Sequence, residues 1–321
     1  MTRLRAGRGG ASVVVVVLRA GLSIALLLAL AWWLDVAQIV ARLGQMRAGW
    51  VFAALALSVI QVLVSAWRWR FTAGRLGIVL PFGQAVREYY LSMFVNQVLP
   101  GGVVGDVSRA WRHAAAQRLT TSSGGPAIRA VVLERLSGQL VMVGVASASV
   151  LTLVVGSGDA AWVVVLAGLG LVVAVRQWVK APARDDGGDD APSSRLSRLR
   201  LWHDTKTALL TGTALPIQVA SSAVVVGTYV AIYLMASLAV DVDTPLRTLL
   251  PLVAPVLVAM LIPASVAGWG VRETAAALLW DAAGLTSEDG VVISIAYGLL
   301  SLVSSLPGCV VLLKRPRQTD R

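Results

Sequence analysis

Residues 50–67 read WVFAALALSVIQVLVSAW, eighteen positions without a single charge, after which the chain turns to Arg68 and Arg70. A bilayer core about 30 Å thick takes about 20 helical residues to cross, so this stretch predicts a transmembrane helix closed by cations at one interface. Apolar runs of similar character recur at about 18–37, 134–156, 161–179, 213–239 and 291–313. Six full spans are therefore expected. The bulk composition agrees: 57% of the 321 residues are hydrophobic, 14% are charged, and the mean hydropathy is +0.75. A soluble domain averages about 45–50% apolar and about 25% charged residues. These values exclude a soluble enzyme, a secreted disulfide scaffold and a disordered chain. Cys309 is the sole cysteine, so neither an intramolecular disulfide nor a cysteine metal cluster can form.

The 28 basic and 17 acidic residues leave a net charge of +11. No separate basic domain, zinc spacing or aromatic-rich basic segment accompanies the excess, so nucleic acid is not an expected partner. Cations gathered on cytoplasmic loops and facing anionic headgroups explain it. Arg3, Arg5 and Arg8, the 68–88 connector, the 109–129 region, the 176–206 stretch and the tail from Lys314 are assigned to the cytoplasm, which places both termini there. The connectors 156–160, 241–247 and 285–290 carry Asp159, Asp241, Asp243, Glu288 and Asp289 against Arg247 and are assigned outside. The 35–49 connector must also be external, although Arg42 and Arg47 outnumber Asp35 there. Ala29-Leu30-Ala31 imitates a signal-peptidase site, but the many later spans favour an uncleaved anchor. The reading is a single integral membrane domain over 1–321, with a membrane core of about 13–313 and a flexible cytoplasmic linker at 180–206, in a prokaryotic inner membrane.

Two segments break the pattern. Under this topology 85–117 starts and ends inside, and 249–284 starts and ends outside, each interrupted by Pro and Gly near its middle. Irregular backbone at membrane depth survives only where protein or a water-filled cavity satisfies its polar groups. Both segments are thus expected to be re-entrant helical hairpins entering from opposite faces. Residues 100–109, PGGVVGDVSR, align with 263–272, PASVAGWGVR, so that Pro, Val, Gly and Arg recur at the same offsets. Such pairing suggests an inverted repeat. The fold class is therefore an all-α polytopic membrane protein with six spans and two opposed hairpins.

Ionisable groups inside apolar segments cost roughly 2.5–3.5 kcal/mol each on insertion scales and mark functional sites by default. Here they gather at the breaks. Asn96, Asp106, Arg109, Arg112 and His113 surround the first, Glu134-Arg135 opens the next span, and Arg272-Glu273 follows the second. The glycines at 101, 102 and 105, and at 268 and 270, would let the backbone expose amide N–H groups at a half-helix start, which attracts anions. Arg109 and Arg272, slightly further on, could grip a phosphate with two donors. A phospholipid or lipid-linked phosphate headgroup fits this chemistry. Plainer readings stand beside it. Arg109, Arg112 and His113 fit a positive-inside helix end, and the two Glu/Arg pairs fit structural ion pairs. Adjacent helical residues point about 100° apart, so each pair is expected to look to another helix, Glu134 to Arg272 among the options.

Signals for soluble chemistry are missing. No lysine follows the glycines as in a P-loop, no Gly-x-Ser-x-Gly elbow occurs, and His113 and His203 offer no zinc spacing, so no cofactor, metal or catalytic residue is expected. Trp32, Trp33, Trp50, Trp67, Trp69, Trp162 and Trp178 flank spans and read as an interfacial belt. Trp269 lies within a glycine break and could line a cavity.

Asn96-Gln97-Val98-Leu99-Pro100-Gly101-Gly102, with Gly105-Asp106 and Arg109-Ala110, resembles the first signature of the flippase-like family that includes the transmembrane region of lysylphosphatidylglycerol synthase. Glu134-Arg135-Leu136 is similar to its second signature, and Pro263 through Gly268-Trp269-Gly270-Val271-Arg272-Glu273 to its third. The resemblance implies a lipid-translocating membrane region. It does not imply aminoacyl transfer, because the sequence given ends at Arg321 without the transferase domain of the full synthases. It also implies substrate binding by Asn96, Pro100, Gly101, Gly102, Gly105, Asp106, Arg109, Glu134, Arg135, Pro263, Gly268, Trp269, Gly270, Arg272 and Glu273. The expected function is binding and flipping of an anionic or phosphate-bearing lipid. The rival readings are a transferase on lipid-linked sugars, with Asp106, Glu134 or Glu273 as base, and a non-catalytic membrane partner of a separate lipid-modifying synthase.

Overall fold

The computed structural model describes residues 6–99, 102–118, 125–155, 203–262 and 265–313. Among them lie eleven α-helices, one π-helical turn and no β-strand. The helices are α1 (Ala6–Trp33), α2 (Val36–Gly44), α3 (Ala48–Arg75), α4 (Phe82–Val98), α5 (Val104–Arg118), α6 (Gly125–Val155), α7 (Ala214–Ala239), α8 (Leu246–Ala259), α9 (Val271–Ala282), α10 (Ser287–Ser305) and α11 (Pro307–Leu313). Both segments expected to be broken are helix–break–helix: α4 and α5 around the first Pro/Gly stretch, α8 and α9 around the second. Pro307 opens α11, where its missing N–H costs nothing.

Among the described residues four stretches are long and apolar enough to cross a membrane: Ala48–Arg75, Gly125–Leu153, Ala214–Ala239 and Ser287–Leu313. A fifth exists if Val17–Trp33 and Val36–Gly44, bent by 100°, form one span. The chain is thus an all-α polytopic membrane protein. The expected span at 161–179 lies outside the described residues, as does the 180–202 part of the linker; residues 203–206 of that linker are helical. Several boundaries differ from expectation: α6 opens at Gly125 rather than near 134, and α10 at Ser287 rather than at 291. The first span does not continue to residue 37, because Asp35 starts a new helix by accepting a hydrogen bond from the Gln38 amide at 3.2 Å. The second does not stop at Trp67 but runs on to Arg75, carrying Arg68 and Trp69 into the protein interior.

The chain divides into two compact units. Unit 1 comprises Met1–Val59, Tyr90–Val107 and Val230–Arg321. In it α9 packs on α8, α10 and α1, while α10 also touches α2 and α11. One end of this unit answers the charge puzzle of the 35–49 connector. Arg42 donates to Asp289 at 2.6 Å, Arg47 donates to Asp241 at 2.7 Å, and the Arg47 amide donates to the Ala239 carbonyl at 2.8 Å. The two cations that fit the loop rule poorly are neutralised by acids from the two connectors assigned to the same side.

Unit 2 comprises Ile60–Tyr89 and Ser108–Tyr229. Its core is built largely from small side chains, Ala66, Ala73, Ala85, Ala110, Ala114, Ala127 and Ala130, around the fully buried Trp69. Small residues let helices approach closely where lipid supplies no hydrophobic drive. Arg75 fixes the π-helical turn Lys206–Leu210 by donating to the carbonyls of Thr207 and Thr211 at 3.1 and 3.0 Å. Arg129 pairs with Asp204 at the same end.

The paired connectors of unit 1 yield a labelling prediction. In a Cys309→Ser background, cysteines at Gln45, Asp243 and Thr286 should all react with a membrane-impermeant reagent from the same side. Reaction of one of the three from the opposite side would contradict the pairing.

Candidate functional site

Glu134 sits on α6 with no exposed surface. Its carboxylate accepts hydrogen bonds from two arginines of unit 2. Arg68, on α3, reaches Oε1 through Nε at 3.2 Å and Nη2 at 2.5 Å, and Arg109, on α5, reaches Oε2 through Nη2 at 3.1 Å. Arg68 also donates to the Ser222 hydroxyl at 3.0 Å. Arg135, the next residue on α6, is close enough to act electrostatically on Glu134. The Arg109 guanidinium lies 4.5 Å from the ring centroids of both Trp69 and Tyr89. A charge taken from water needs such company: opposite charge, hydrogen bonds and aromatic faces each replace part of the lost hydration. Gly138, one turn beyond Glu134, completes the seat. A Cβ there would stand 2.9 Å from Nη2 of Arg68, so the guanidinium rests against bare backbone.

Unit 1 holds a second cluster of related build. Arg272, at the start of α9, donates from Nε and Nη2 to Oε1 of Glu273 at 3.1 and 2.5 Å, and from Nε to Ser294 at 2.9 Å. Its guanidinium lies 5.2 and 5.3 Å from the rings of Trp269 and Tyr297. Gly298, one turn after Ser294 on α10, makes the seat. A Cβ there would fall 2.3 Å from Nη2 of Arg272 and 2.8 Å from the Trp269 ring. Here one guanidinium meets one carboxylate, whereas in unit 2 two guanidiniums share one.

The breaks themselves are held by their polar residues. In the first, Asp106 accepts from Ser92 at 3.0 Å and Asn96 at 2.8 Å, and the Asn96 amide oxygen accepts from the Gly105 N–H at 2.7 Å. In the second, Ala267, Gly268 and Gly270 adopt φ of 50°, 84° and 86°, left-handed positions immediately before α9 begins at Val271. Glu273 then turns back to accept from the Gly270 N–H at 2.7 Å. Gly102 also has positive φ, 62°. Pro100, Gly101 and Pro263 lie outside the described residues.

Several expectations are corrected by this geometry. Glu134 pairs with Arg68 and Arg109 rather than with Arg272. Arg272 and Glu273 do satisfy each other, because Glu273 is bent back onto the helix start instead of pointing outward. The Gly105 and Gly270 amides are taken by Asn96 and Glu273, so neither is an open anion-binding N–H. Trp269 covers Arg272. Trp69 and His113 are buried against each other, ring centroids 5.2 Å apart, rather than interfacial. Arg112 is bound to Glu88 at 2.7 Å. Arg68, Gly138, Ser294 and Gly298 were not singled out in the sequence. The signal for Arg68 was the helical spacing of Trp69, Thr72 and Ala73, which carries the buried face past Trp67.

Helices of membrane-crossing length, two Pro/Gly breaks and two buried arginine clusters define a multi-pass membrane protein with a polar interior. A family model described as "Lysylphosphatidylglycerol synthase TM region" matches residues 16–308. The chain belongs to that family. No curated protein matches it individually.

The glycine seats carry a stability prediction. Gly298→Ala should destabilise the protein by about 1–3 kcal/mol, the usual cost of overpacking, and Gly138→Ala should act in the same direction. Gly227→Ala on α7, where a Cβ meets nothing within 4 Å, should be neutral or stabilise by about 0.5–1 kcal/mol. Thermal denaturation in one detergent compares all three.

Proposed function

We propose that this protein binds an anionic phospholipid or a lipid-linked phosphate compound and moves it between leaflets. The observation that carries the reading is the sharing of Glu134 by Arg68 and Arg109 inside unit 2. Two guanidiniums meeting at one carboxylate concentrate cationic donors in a medium of low dielectric, where an anion is favoured. A phosphate oxygen entering beside Arg109 supplies the balancing charge and suits the planar two-donor geometry of arginine. The Arg272–Glu273 pair is balanced already, which favours a role in shaping the second break together with Gly268, Trp269 and Gly270. Asn96, Gly105 and Asp106 do the same for the first.

In this reading 85–117 and 249–284 are re-entrant hairpins from opposite faces and the chain is one membrane domain. Both basic termini lie on the cytoplasmic side of a prokaryotic inner membrane, and its partners are membrane lipids together with a separately encoded lipid-modifying enzyme. The family supports a lipid connection, since it is described by a synthase of a phosphatidylglycerol derivative. The transferase reading gains no support, since Asp106, Glu134 and Glu273 each already accept hydrogen bonds from protein donors, and an engaged carboxylate is a weak general base.

The test uses protein reconstituted in vesicles containing labelled phosphatidylglycerol. Arg109→Lys should slow leaflet exchange while the protein still folds, because the charge stays and the fork is lost. Arg109→Ala should weaken lipid binding by tenfold or more, corresponding to about 1.5–3 kcal/mol for a charge-assisted hydrogen bond. Arg247→Ala, at an exposed position, should change little. Exchange at the unaltered rate in a well-folded Arg109→Ala protein would sink the reading.

A further inference from the structure

Arg109 shares the Trp69 indole with a second buried polar group. His113, one turn further along α5, meets that ring edge-on at 5.2 Å between centroids, while the Arg109 guanidinium lies 4.5 Å from its centroid. His113 is only 6% exposed and Trp69 is fully buried. Among the described residues, Nδ1 and Nε2 of His113 and Nε1 of Trp69 have no hydrogen-bond partner. Three buried nitrogens in this state on two touching rings run against the strong tendency of interior polar groups to be paired. A phenyl ring would pack in the place of the imidazole without leaving such groups bare.

The chemistry of these atoms narrows what could satisfy them. Indole Nε1 and guanidinium offer only donors, and imidazole offers at least one. A partner common to all three must bring several acceptor oxygens, and the neighbouring Arg68 and Arg109 favour negative charge on them. We infer that His113 and Trp69 Nε1–H are additional ligands of one phosphate group, forming with Arg109 a three-residue cradle in unit 2. This rests on the phosphate reading of the Arg68–Glu134–Arg109 cluster and extends it to residues outside the family signatures quoted above. The phosphate belongs to a lipid headgroup or comes free from solution; the recognition chemistry is the same.

Delipidated protein in detergent micelles provides the test, titrated with phosphatidylglycerol in one arm and with inorganic phosphate in the other. His113→Phe keeps the ring volume and removes both nitrogens. It should leave the melting temperature of the delipidated protein equal or higher, yet weaken phosphatidylglycerol binding about three- to tenfold, as expected for one lost hydrogen bond. The same loss in the inorganic phosphate arm assigns the cradle to phosphate from either source, and loss in the lipid arm alone assigns it to the headgroup. Should His113→Phe not fold, His113→Met removes the same nitrogens and carries the same comparison. Unchanged affinity of the folded variant in both arms overturns the cradle. If Arg109→Ala loses affinity while His113→Phe does not, the cluster reading stands and the cradle alone fails. If neither loses affinity, both fail.

Discussion

A guanidinium inside a membrane protein cannot be left alone, and the described structure is organised around that requirement. Arg68, Arg109 and Arg272 are all at most 3% exposed. Each has an acidic partner, and Arg109 and Arg272 also each lie against two aromatic rings. Removing one member of such a buried pair typically costs about 3–5 kcal/mol, because the other charge is stranded. The surrounding sequence follows from this. The bare backbone at Gly138 and Gly298 makes room for guanidinium groups; Ser222 takes an Arg68 N–H that Glu134 leaves over, and Ser294 shares the Arg272 Nε–H with Glu273.

The two clusters use the same parts in different proportions. In unit 1 the arginine and glutamate are neighbours in sequence, and Glu273 serves both as counter-ion and as cap for α9. That closes the charge account locally and ties it to the break. In unit 2 the carboxylate comes from α6 and its arginines from α3 and α5, so that one acid joins three helices. This difference is what supports the proposal of anion binding in unit 2 and of a shaping role in unit 1.

How much was legible in advance follows the physics of each feature. The spans that fall in described residues and both breaks could be read, because uninterrupted apolar runs and Pro/Gly interruptions each have few structural explanations. Arg109, Glu134, Arg272 and Glu273 could be read as costly charges within apolar surroundings. Arg68 could not, since beside Arg70 at the end of an apolar run it looks like an ordinary interfacial cation. Trp69 was hidden in the same way. The expected Glu134–Arg272 contact came from an internal alignment, and an alignment fixes correspondence without fixing distance. Glycine seats such as Gly298 are visible only once the side chain they accommodate has been placed.

The proposed anion site at the Arg68–Glu134–Arg109 cluster predicts a lipid that stays with the protein when it is extracted. Native mass spectrometry of gently solubilised, unaltered protein reads this directly. The account predicts a retained lipid whose mass and fragmentation identify a phosphate-bearing anionic headgroup, at a stoichiometry near one per chain and displaced by added phosphatidylglycerol. Protein that emerges free of lipid, or that holds only uncharged lipids, would contradict it.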